Sequence, residues 1–427
     1  MLTPDRSQQV IHLCQELIQR QSYSGHEESV VERMKQAFHD WRFDETVVDS
    51  YGNVLGRIKG KRPGKVLLLD GHIDTVPVPD PSRWTHNPYG GETAEGRIYG
   101  RGSSDMKGAV AAMVAAAAFF AEDTNRDFAG SVYVSGVVQE ECFEGIAARQ
   151  ISGRIHPDYV VIGESSELNL KRGQRGRAEI VVETFGKPAH SANPRAGVNA
   201  VYAMAHLIRE IALLKAPVHP ILGEGILELT DIKSSPYPGA SVVPDYCRAT
   251  YDRRLLVGET RESVLQPLLE LIRHSMELDP KLDARVSFAS GVERCYTGDE
   301  IRGERFFPGW VLDQDDAFVQ TALAGLRGAG LNPEITQYSF CTNGSHYAGE
   351  AGIRTIGFGP SREDLAHTID EYIEVDQLIK ATQGYQGILQ AVFQERLTSG
   401  GRSPHGSHLK STARSPRSPK HQCMSHI

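Results

Sequence analysis

The sequence KVLLLDGHIDTVP, residues Lys65–Pro77, determines the fold expected for this chain. Its four consecutive apolar residues, Val66–Leu69, lie between two glycines, and a short run that is apolar on both faces is typical of a strand buried in a parallel sheet. The run leads into His72 and Asp74, which share a face because alternate residues of a strand do. Functional groups of α/β proteins lie at the carboxyl ends of such strands. Taken alone, the pair also fits a packed histidine before a turn.

Two further apolar strands end in carboxylates. The segment Ser131–Val138 leads into Glu140 and Glu141, and Tyr159–Ile162 leads into Glu164. Adjacent carboxylates at a strand end point to different sides, so one can bind a metal while the other faces a substrate. As an isolated surface pair they would carry no function. Three apolar strands that each end in a histidine or a carboxylate are hard to obtain from random surface charges.

The sequence GRGSSDMKG, residues 100–108, places Asp105 between glycines just ahead of an alanine-rich segment. Glycines allow the sharp bend that would hold this carboxylate inward. The alternative is a helix N-cap, which Ser and Asp both favour. The alanine-rich run Ala109–Ala121 is too short to span a bilayer, so we expect a buried helix.

Composition and charge restrict the class of protein. The 427 residues are 40% hydrophobic and 23% charged, as in a soluble globular chain of two or three domains. The formal net charge is -8, and the last thirty residues hold five Lys or Arg and no acidic residue, so the rest is more acidic still. This argues against nucleic acid or a membrane as partner. Six scattered cysteines without a CxxC pair, and a polar N-terminus unlike a signal peptide, predict a cytoplasmic location.

The order of the patterns predicts an α/β fold with an insertion. A mixed, mostly parallel sheet lies between helices, and from Gly176 the alternation of AEIVVETFG starts a strand–helix–strand–strand–helix–strand unit, the ferredoxin-like arrangement. The predicted helices span 5–22, 26–41, 109–121, 197–215, 260–277 and 376–396. The predicted domains are 1–175 (first part of the α/β domain), 176–292 (the inserted α+β unit), 293–397 (second part of the α/β domain) and 398–427 (a disordered basic tail).

Five residues are candidate metal ligands: His72, Asp105, Glu141, Glu164 and His367. Two imidazoles and three carboxylates suit Zn²⁺, or Co²⁺ or Mn²⁺, better than Ca²⁺ or copper. A carboxylate that uses both oxygens can bridge two metals about 3.5–4 Å apart. GxSxG and P-loop motifs are absent from the sequence.

Five motifs in this order resemble the M20 family of dinuclear metallopeptidases and amidohydrolases, which includes aminoacylase, acetylornithine deacetylase, succinyl-diaminopimelate desuccinylase and carboxypeptidase G. The motifs are GHIDTVP, GRGSSDMKG, QEE at 139–141, GES at 163–165 and AHTIDEY at 366–372. The resemblance covers residues 5–395. It implies a zinc-exopeptidase-like catalytic domain with an inserted lid and dimerisation domain.

The resemblance also implies a role for each ligand. His72 and Glu164 would hold one divalent metal, Glu141 and His367 would hold a second, and Asp105 would bridge them. The family's metal is most often Zn²⁺, with Co²⁺ or Mn²⁺ as alternatives.

The catalytic residues implied by the family are Glu140, Asp74 and His190. Glu140 would act as general base, and Asp74 would orient His72. His190, in PAHSA, would reach into the partner subunit's site and stabilise the oxyanion. A histidine in a turn is the structural alternative for His190.

Substrate contacts implied by the family lie in three segments. Arg254, in DRRLLVGET, would bind a substrate carboxylate. The neighbouring Arg253 is the alternative candidate for this role and is expected to be solvated. Loop residues matching the substrate cleft are Asn343, Gly344, Ser345 and Gly359.

Three departures from the family pattern concern substrate choice. Many relatives carry Asn at Ser241, Asp at Asn343 and Pro at Ser165. None removes a ligand. The segments GASVVP and GESSELNLKRGQRGR are more similar to an uncharacterised branch labelled selenium-metabolism-linked hydrolases, which implies no substrate.

The function implied is a cytoplasmic, homodimeric, two-metal hydrolase. It would use a water activated by two metals to cleave an amide C–N bond of a small N-acyl amino acid, dipeptide or related metabolite. An N-carbamoyl amino acid hydrolase would use the same ligands. A non-catalytic binding protein would have lost a ligand or the base, and none is lost here. A single-metal structural site would bind one metal and hydrolyse nothing.

Overall fold

The computed structural model describes residues 2–394, and these form one compact unit. The predicted tail at 398–427 lies outside the described residues. The helices are α1 Pro4–Ile18, α2 Glu28–Asp40, α3 Gly108–Asp123, α4 Ala148–Ile155, α5 Ala200–Ile211, α6 Arg261–Leu278, α7 Ala317–Gly328 and α8 Val375–Gln394.

The strands are β1 Glu45–Val48, β2 Val54–Lys59, β3 Arg62–His72, β4 Glu92–Ala94, β5 Arg97–Tyr99, β6 Ala129–Val137, β7 Tyr159–Ile162, β8 Leu170–Gln174, β9 Gly176–Phe185, β10 Ala189–His190, β11 Val218–His219, β12 Gly223–Glu224, β13 Ile226–Ser235, β14 Val242–Val243, β15 Tyr246–Leu255, β16 Asp283–Phe288, β17 Ser290–Arg294, β18 Glu300–Glu304, β19 Phe306–Phe307, β20 Trp310–Val311, β21 Ile335–Tyr338, β22 Arg354–Gly357 and β23 Tyr372–Glu374.

The main sheet is mixed and has a parallel centre. Its order is β1-β2-β6-β3-β7-β22-β8-β20, with β21 also paired to β8. The four central strands β6, β3, β7 and β22 run parallel, whereas β1, β2, β8 and β20 pair antiparallel at the flanks. Leu67, Leu68 and Leu69 of β3 are fully buried. The mixed α/β fold class predicted from the sequence is thereby confirmed.

The alanine-rich helix α3 packs in the core beneath this sheet. Among the described helices, the segment Ser103–Asp123 is long and apolar enough to cross a membrane, but 94% of its apolar window is buried inside the fold. A helix that is apolar all round is the expected element of a protein core. Gly71 on β3 allows this segment to pack closely against the strand, since a Cβ at that position would lie 2.8 Å from the methyl carbons of Met106 and Met113.

A second sheet has the order β13-β15-β9-β16, with β19 also paired to β9. Along the chain its elements run β9, α5, β13, β15, α6, β16, which is the order predicted for the ferredoxin-like unit. Apolar side chains of α5 and α6 pack on it to form a separate small core, including Met204, Leu207 and Ile272. Because β19 joins this sheet from beyond residue 292, the exact domain borders stay a prediction.

A small three-stranded sheet connects distant parts of the chain near the end of the main sheet. Its centre β5 pairs antiparallel with β4 and with β23. The partner of Tyr99 is Tyr372, so the AHTIDEY segment is held beside the GRGSSD turn. These two sequences are far apart in the chain, and this ladder brings them together.

Candidate metal centre

The parallel strands bring the predicted ligands to one edge of the main sheet. His72 ends β3, Glu140 and Glu141 follow β6, and Glu164 follows β7. In register, His72 lies opposite Val137 of β6, and Asp70 lies opposite Ile162 of β7. The carboxyl ends of neighbouring parallel strands therefore meet here, as the sequence pattern indicated.

His72 is buried and directs one nitrogen into the site. Its Nε2 lies 2.9 Å from Oδ1 of Asp105 and 3.5 Å from Oε1 of Glu164. Its Nδ1 lies 2.8 Å from the main-chain carbonyl oxygen of Asp74 and 3.7 Å from that residue's Oδ1. A donor bond from Nδ1 to this carbonyl leaves Nε2 free to act as a ligand.

The Asp74 carboxylate mainly holds the next segment of the site. It accepts the main-chain N–H of Glu140 at 3.0 Å and of Glu141 at 3.1 Å, and the hydroxyl of Ser24 at 2.7 Å. The family resemblance implies that Asp74 orients His72. In this structure the main-chain carbonyl of Asp74 contacts His72, and the side chain of Asp74 fixes the two glutamates.

His367 faces the same carboxylates from the opposite side. Its Nε2 lies 3.0 Å from Oε2 of Glu141 and 3.2 Å from Oδ2 of Asp105. Asp105 therefore presents one oxygen to His72 and the other to His367. This is the arrangement required of a carboxylate that bridges two cations.

The separations between these donor atoms fit metal coordination. Two atoms that are each about 2 Å from one tetrahedral Zn²⁺ lie about 3.3 Å apart. The imidazole-to-carboxylate distances span 2.9 to 3.5 Å. Candidate donor atoms also converge in the triad His72, Glu140 and Glu164 and in the triad His72, Asp105 and Glu141, each within 4.8 Å. The residues present therefore fit a metal centre.

Crowded carboxylates dominate the electrostatics of the metal-free site. Burial raises the pKa of Glu164 to about 8, and burial together with the nearby charge of Asp105 raises the pKa of Glu141. Burial also raises the pKa of Glu140 well above its usual range. Hydrogen bonds with Asp105 and Glu141 raise the pKa of His367 to about 10. A divalent cation would relieve this excess of negative charge.

Asp105 itself behaves differently from the glutamates. Burial acts to raise its pKa, but hydrogen bonds from His367 and His72 outweigh burial and hold the pKa below its usual value. Asp105 is therefore ionised between the two imidazoles, as a bridging ligand must be.

A buried ion pair that the sequence interpretation missed holds the Asp105 turn. The carboxylate of Glu371 is fully buried and accepts the main-chain N–H of Ser104 at 2.8 Å and of Asp105 at 3.0 Å. It also accepts a hydrogen bond from Nη1 of Arg101 at 2.5 Å. Arg101 lies in the GRGSSDMKG motif and Glu371 lies in the AHTIDEY motif, so these motifs were the signal that could have identified the two residues. Their pairing depends on the β5–β23 ladder.

A cleft of about 520 Å³ opens beside the ligands. Four predicted ligands, the predicted base Glu140 and Arg254 line it, whereas His72 lies just beneath its surface. The lining residues are Val76, Asp105, Glu140, Glu141, Glu144, Glu164, Ser165, Arg177, Arg254, Ser339, Phe340, Cys341, Glu363, Ala366 and His367. Glu144 and Arg177 were missed because a single charge in a chain carries no motif.

The two neighbouring arginines have different positions. Arg254 lines the cleft, and its Nε pairs with Oδ1 of Asp252 at 2.8 Å. Arg253 is only 6% exposed and pairs with Glu259 at 2.5 Å, so the expectation that it is solvated was wrong. Alternation along β15 explains the difference, since adjacent side chains of a strand point to opposite faces.

The four residues predicted to contact substrate from loops are absent from the lining of the cleft. Asn343 is buried, donates to Oδ2 of Asp70 at 3.1 Å and accepts the N–H of Gly145 at 2.9 Å. Gly344 and Ser345 belong to the same packed turn, which Thr342 caps. A Cβ on Gly359 would lie 2.2 Å from the carbonyl oxygen of Gly163. These contacts indicate that the residues support the wall of the site. Substrate contact by them stays a prediction.

His190 is exposed on β10, and its Nδ1 accepts the N–H of Ala192 at 3.0 Å. It is absent from the residues that line the cleft of its own chain within the described range. Its action in a partner's site stays a prediction.

Comparisons with known proteins assign the family. The profile of peptidase family M20/M25/M40 matches residues 68–391. An Escherichia coli K12 protein named uncharacterized protein YgeY is 33% identical over 372 residues, which cover 86% of this chain and 90% of that protein. Succinyl-diaminopimelate desuccinylase of Cereibacter sphaeroides strain KD131 is 29% identical, covering 90% and 98%.

The fold is also that of a solved structure from the same family. The Bacillus subtilis YXEP protein, described as a dinuclear metal binding peptidase from the M20 family, superposes with a TM-score of 0.69 at 13% identity, covering 92% of this chain and 99% of that one. The chain therefore belongs to peptidase family M20/M25/M40 and is a metal-dependent hydrolase.

Proposed function

We propose that this chain is a two-metal hydrolase that cleaves amide C–N bonds of small N-acyl amino acids, dipeptides or related metabolites. One observation carries the proposal. The two oxygens of Asp105 face two different imidazoles, and each imidazole has a further carboxylate of its own, Glu164 beside His72 and Glu141 beside His367. Such a symmetric donor set suits two cations better than one.

The proposed ligands divide between two positions. His72 and Glu164 would hold one ion, His367 and Glu141 the other, and Asp105 both. Imidazole and carboxylate donors favour Zn²⁺, with Co²⁺ or Mn²⁺ as alternatives. When bound, such ions supply positive charge that polarises an amide carbonyl and lowers the pKa of water.

Glu140 is the proposed general base. Its carboxylate lines the cleft and lies within 4.8 Å of donor atoms of His72 and Glu164, yet no hydrogen bond to another described residue occupies its side-chain oxygens. Burial raises its pKa, which suits a group that must both accept and release a proton. It would take a proton from the attacking water and deliver it to the leaving nitrogen.

The size and charge of the cleft indicate the substrate class. A volume of about 520 Å³ suits a small metabolite. Arg254 lines the cleft, and an arginine can bind a carboxylate through two parallel hydrogen bonds. We propose that it binds the carboxylate of the amino acid released by hydrolysis.

His190 is proposed to act from a second copy of the chain. It lies outside its own cleft, so a homodimer formed through the second sheet would be needed to bring it to a reacting carbonyl, where it would stabilise the oxyanion. The five cysteines within residues 2–394 are free thiols, which supports the proposed cytoplasmic location.

The direct test is hydrolysis by protein loaded with Zn²⁺ or Mn²⁺. N-acetyl amino acids, dipeptides and N-carbamoyl amino acids are supplied in parallel, and free amino acid and ammonia are measured. We expect amino acid release without ammonia, and loss of turnover with retained metal in Glu140→Gln. Ammonia release from carbamoyl substrates alone would favour the carbamoyl hydrolase, and turnover by Glu140→Gln would exclude its role as base.

A further inference from the structure

Four charged side chains beside the proposed metal ligands form one continuous chain of ion pairs. Nη1 of Arg177 lies 2.9 Å from Oε1 of Glu144, and Nε of Arg177 lies 2.7 Å from Oδ2 of Asp252. Oδ1 of Asp252 then lies 2.8 Å from Nε of Arg254. Glu144, Arg177 and Arg254 all line the cleft. The chain thus runs from the segment after β6 to the strands β9 and β15 of the second sheet.

Each end of this chain has unused hydrogen-bonding capacity. Glu144 is 8% exposed, and its Oε2 is buried without a hydrogen-bond partner in the described part of the molecule. At the other end, Nε of Arg254 faces Asp252, and neither Nη group donates a hydrogen bond to another residue within 2–394, which leaves both Nη groups for a ligand. A buried carboxylate oxygen without a donor is costly, so native structures usually provide one.

The charges are also separated along the chain. Glu144 and Asp252 share the single guanidinium of Arg177, so these three groups together are negative, and Arg254 is positive. The array is neutral overall but has a negative end and a positive end. A zwitterion is the ligand that such an array complements.

We propose that Glu144 and Arg254 together form a zwitterion subsite, in which Arg254 binds the substrate carboxylate and Glu144 binds a substrate ammonium group. This inference rests on the proposed function and narrows its substrate class to small amides that carry one carboxylate and one alkylammonium group. The ammonium group has two possible sources: the acyl part, as in a dipeptide with a free amino end, or the side chain of an N-acyl diamino acid.

A purely structural role for Glu144 is the competing explanation. Its bond to Arg177 ties the segment after β6 to β9, and this would account for Oε1. It would not account for Oε2, which is the atom assigned to the ligand here. The two explanations differ in whether the charge of Glu144 matters for all ligands or only for those with an ammonium group.

Binding by calorimetry separates these explanations without turnover. The metal-loaded Glu140→Gln protein is titrated with N-acetylnorvaline, N-acetylornithine and glycylnorvaline. The second compound adds an ammonium group to the amino acid side chain of the first, and the third adds one to its acetyl group. We expect one of these two to bind about tenfold or more tightly than N-acetylnorvaline, because a charge-assisted hydrogen bond is worth about 1.5–3 kcal/mol. The tighter ligand identifies the source of the ammonium group.

Glu144→Gln in the same background should remove that preference and change the affinity for N-acetylnorvaline by less than about twofold. Glu363→Gln is the matched control. Glu363 also lines the cleft, but Lys171 Nζ at 3.1 Å and Ser339 Oγ at 2.6 Å already occupy its two oxygens. The ammonium preference should persist in this variant.

Three results would overturn the subsite: no binding by any of the three compounds, equal binding by all of them, or an equal loss for all of them in Glu144→Gln. The proposed function fails separately. If the preferred ligand binds selectively but the wild-type protein does not hydrolyse it, the subsite stands and the hydrolytic assignment falls. If the wild-type protein hydrolyses N-acetylnorvaline best, the hydrolytic assignment stands and the subsite falls.

Discussion

At the scale of single residues, Glu371 determines the metal centre without being one of its proposed ligands. Its carboxylate accepts two main-chain N–H groups of the Asp105 turn and one N–H of Arg101. Burial, partly offset by the charge of Arg101, raises the pKa of Glu371 to about 7 in the metal-free protein. All three N–H groups need an acceptor. A side chain that itself carries N–H donors, such as an amide, therefore cannot replace the carboxylate of Glu371.

The substitution Glu371→Gln tests this positioning role. The amide can accept through only one oxygen, and it leaves the buried Arg101 without a counter-charge. Loss of such supporting groups typically lowers metal affinity about 10–100-fold. We expect a weakening of this size in chelator competition, together with a lower free energy of unfolding. Glu363→Gln should keep wild-type metal affinity, and an unchanged affinity in Glu371→Gln would refute the role.

Glu350 provides a pH-dependent contribution to stability away from the site. Burial acts to raise its pKa, but hydrogen bonds from His346 and Arg149 outweigh burial and bring the pKa to about 2. Because the folded pKa lies below the ordinary value of 4.5, this contribution is present above about pH 5 and is lost as the pH falls toward 2.

Urea unfolding of the wild-type protein and Glu350→Gln at pH 6.5 and at about pH 3.5 measures this contribution. The wild-type advantage in the free energy of unfolding should shrink at the lower pH. Glu32→Gln, at an exposed pair with Lys35 on α2, should have little effect at either pH. A Glu350→Gln deficit that stays constant or grows on acidification would contradict the assignment.

The residues that were predicted and those that were missed differ in the kind of information they require. His72, Glu141 and Glu164 follow apolar strands, so the local pattern and the family motifs were sufficient to place them at one edge. Two other side chains that line the cleft, Arg177 and Glu144, pair with each other across different elements. No local pattern contains that pairing, and the same applies to the burial of Arg253.

At the scale of elements, the strand β7, which leads into Glu164, depends on a close backbone approach. A Cβ on Gly359 would lie 2.2 Å from the carbonyl oxygen of Gly163 and 2.4 Å from that of Glu164. These contacts are with main-chain atoms, which cannot rotate away as a side-chain end can. Gly359 is therefore needed to keep the end of β7 in place.

Gly359→Ala is expected to displace the Glu164 segment. Both the melting temperature and the metal content should fall, since the clash moves a proposed ligand. The matched control is Gly328→Ala at the end of α7, where a Cβ meets nothing within 4 Å and alanine favours the helix. That variant should be as stable as the wild type or more stable. Retained metal and stability in Gly359→Ala would contradict this account.

Long elements were predictable and short ones were not. The sequence indicated α3, the buried strands β3, β6 and β7, and the order of the second sheet, because each has its own hydrophobic period. The two- and three-residue strands carry no period. Strand β23, for example, exists because β5 offers it a partner, and it is this pair that brings His367 and Glu371 to the site.

At the scale of the whole molecule, the cleft is built by three sheets. Strands of the main sheet lead into Glu141 and Glu164, the β5–β23 pair holds the segments of Asp105 and His367, and the second sheet supplies Arg177 and Arg254. The sequence predicted the order of the elements in the second sheet, but the wall of the cleft depends on how the sheets pack. The proposed dimer adds a further contribution, since His190 would come from another copy.

Mixing two inactive variants tests that contribution. In a mixed dimer of His190→Ala and Glu140→Gln, one site would combine an intact Glu140 with an intact His190. Random pairing makes half of the dimers mixed with one complete site each, so about a quarter of wild-type activity should return. The chain should also sediment at twice its mass of 47.0 kDa. A monomer, or no recovery after subunit exchange, would exclude the shared site.

Two metal ions are proposed to be held by His72, Asp105, Glu141, Glu164 and His367. The most direct measurement is metal content per chain by elemental analysis after purification without chelators. The wild-type protein is compared with His72→Ala, His367→Ala and the control His12→Ala, an exposed position on α1. All four proteins keep the histidines of the C-terminal segment, so differences among them report on the site.

We predict about two Zn²⁺ or Mn²⁺ per chain in the wild type and in His12→Ala, and a loss of at least one in each of the other variants. No bound metal even after Zn²⁺ or Mn²⁺ is added back, or equal content in all four proteins, would contradict the account.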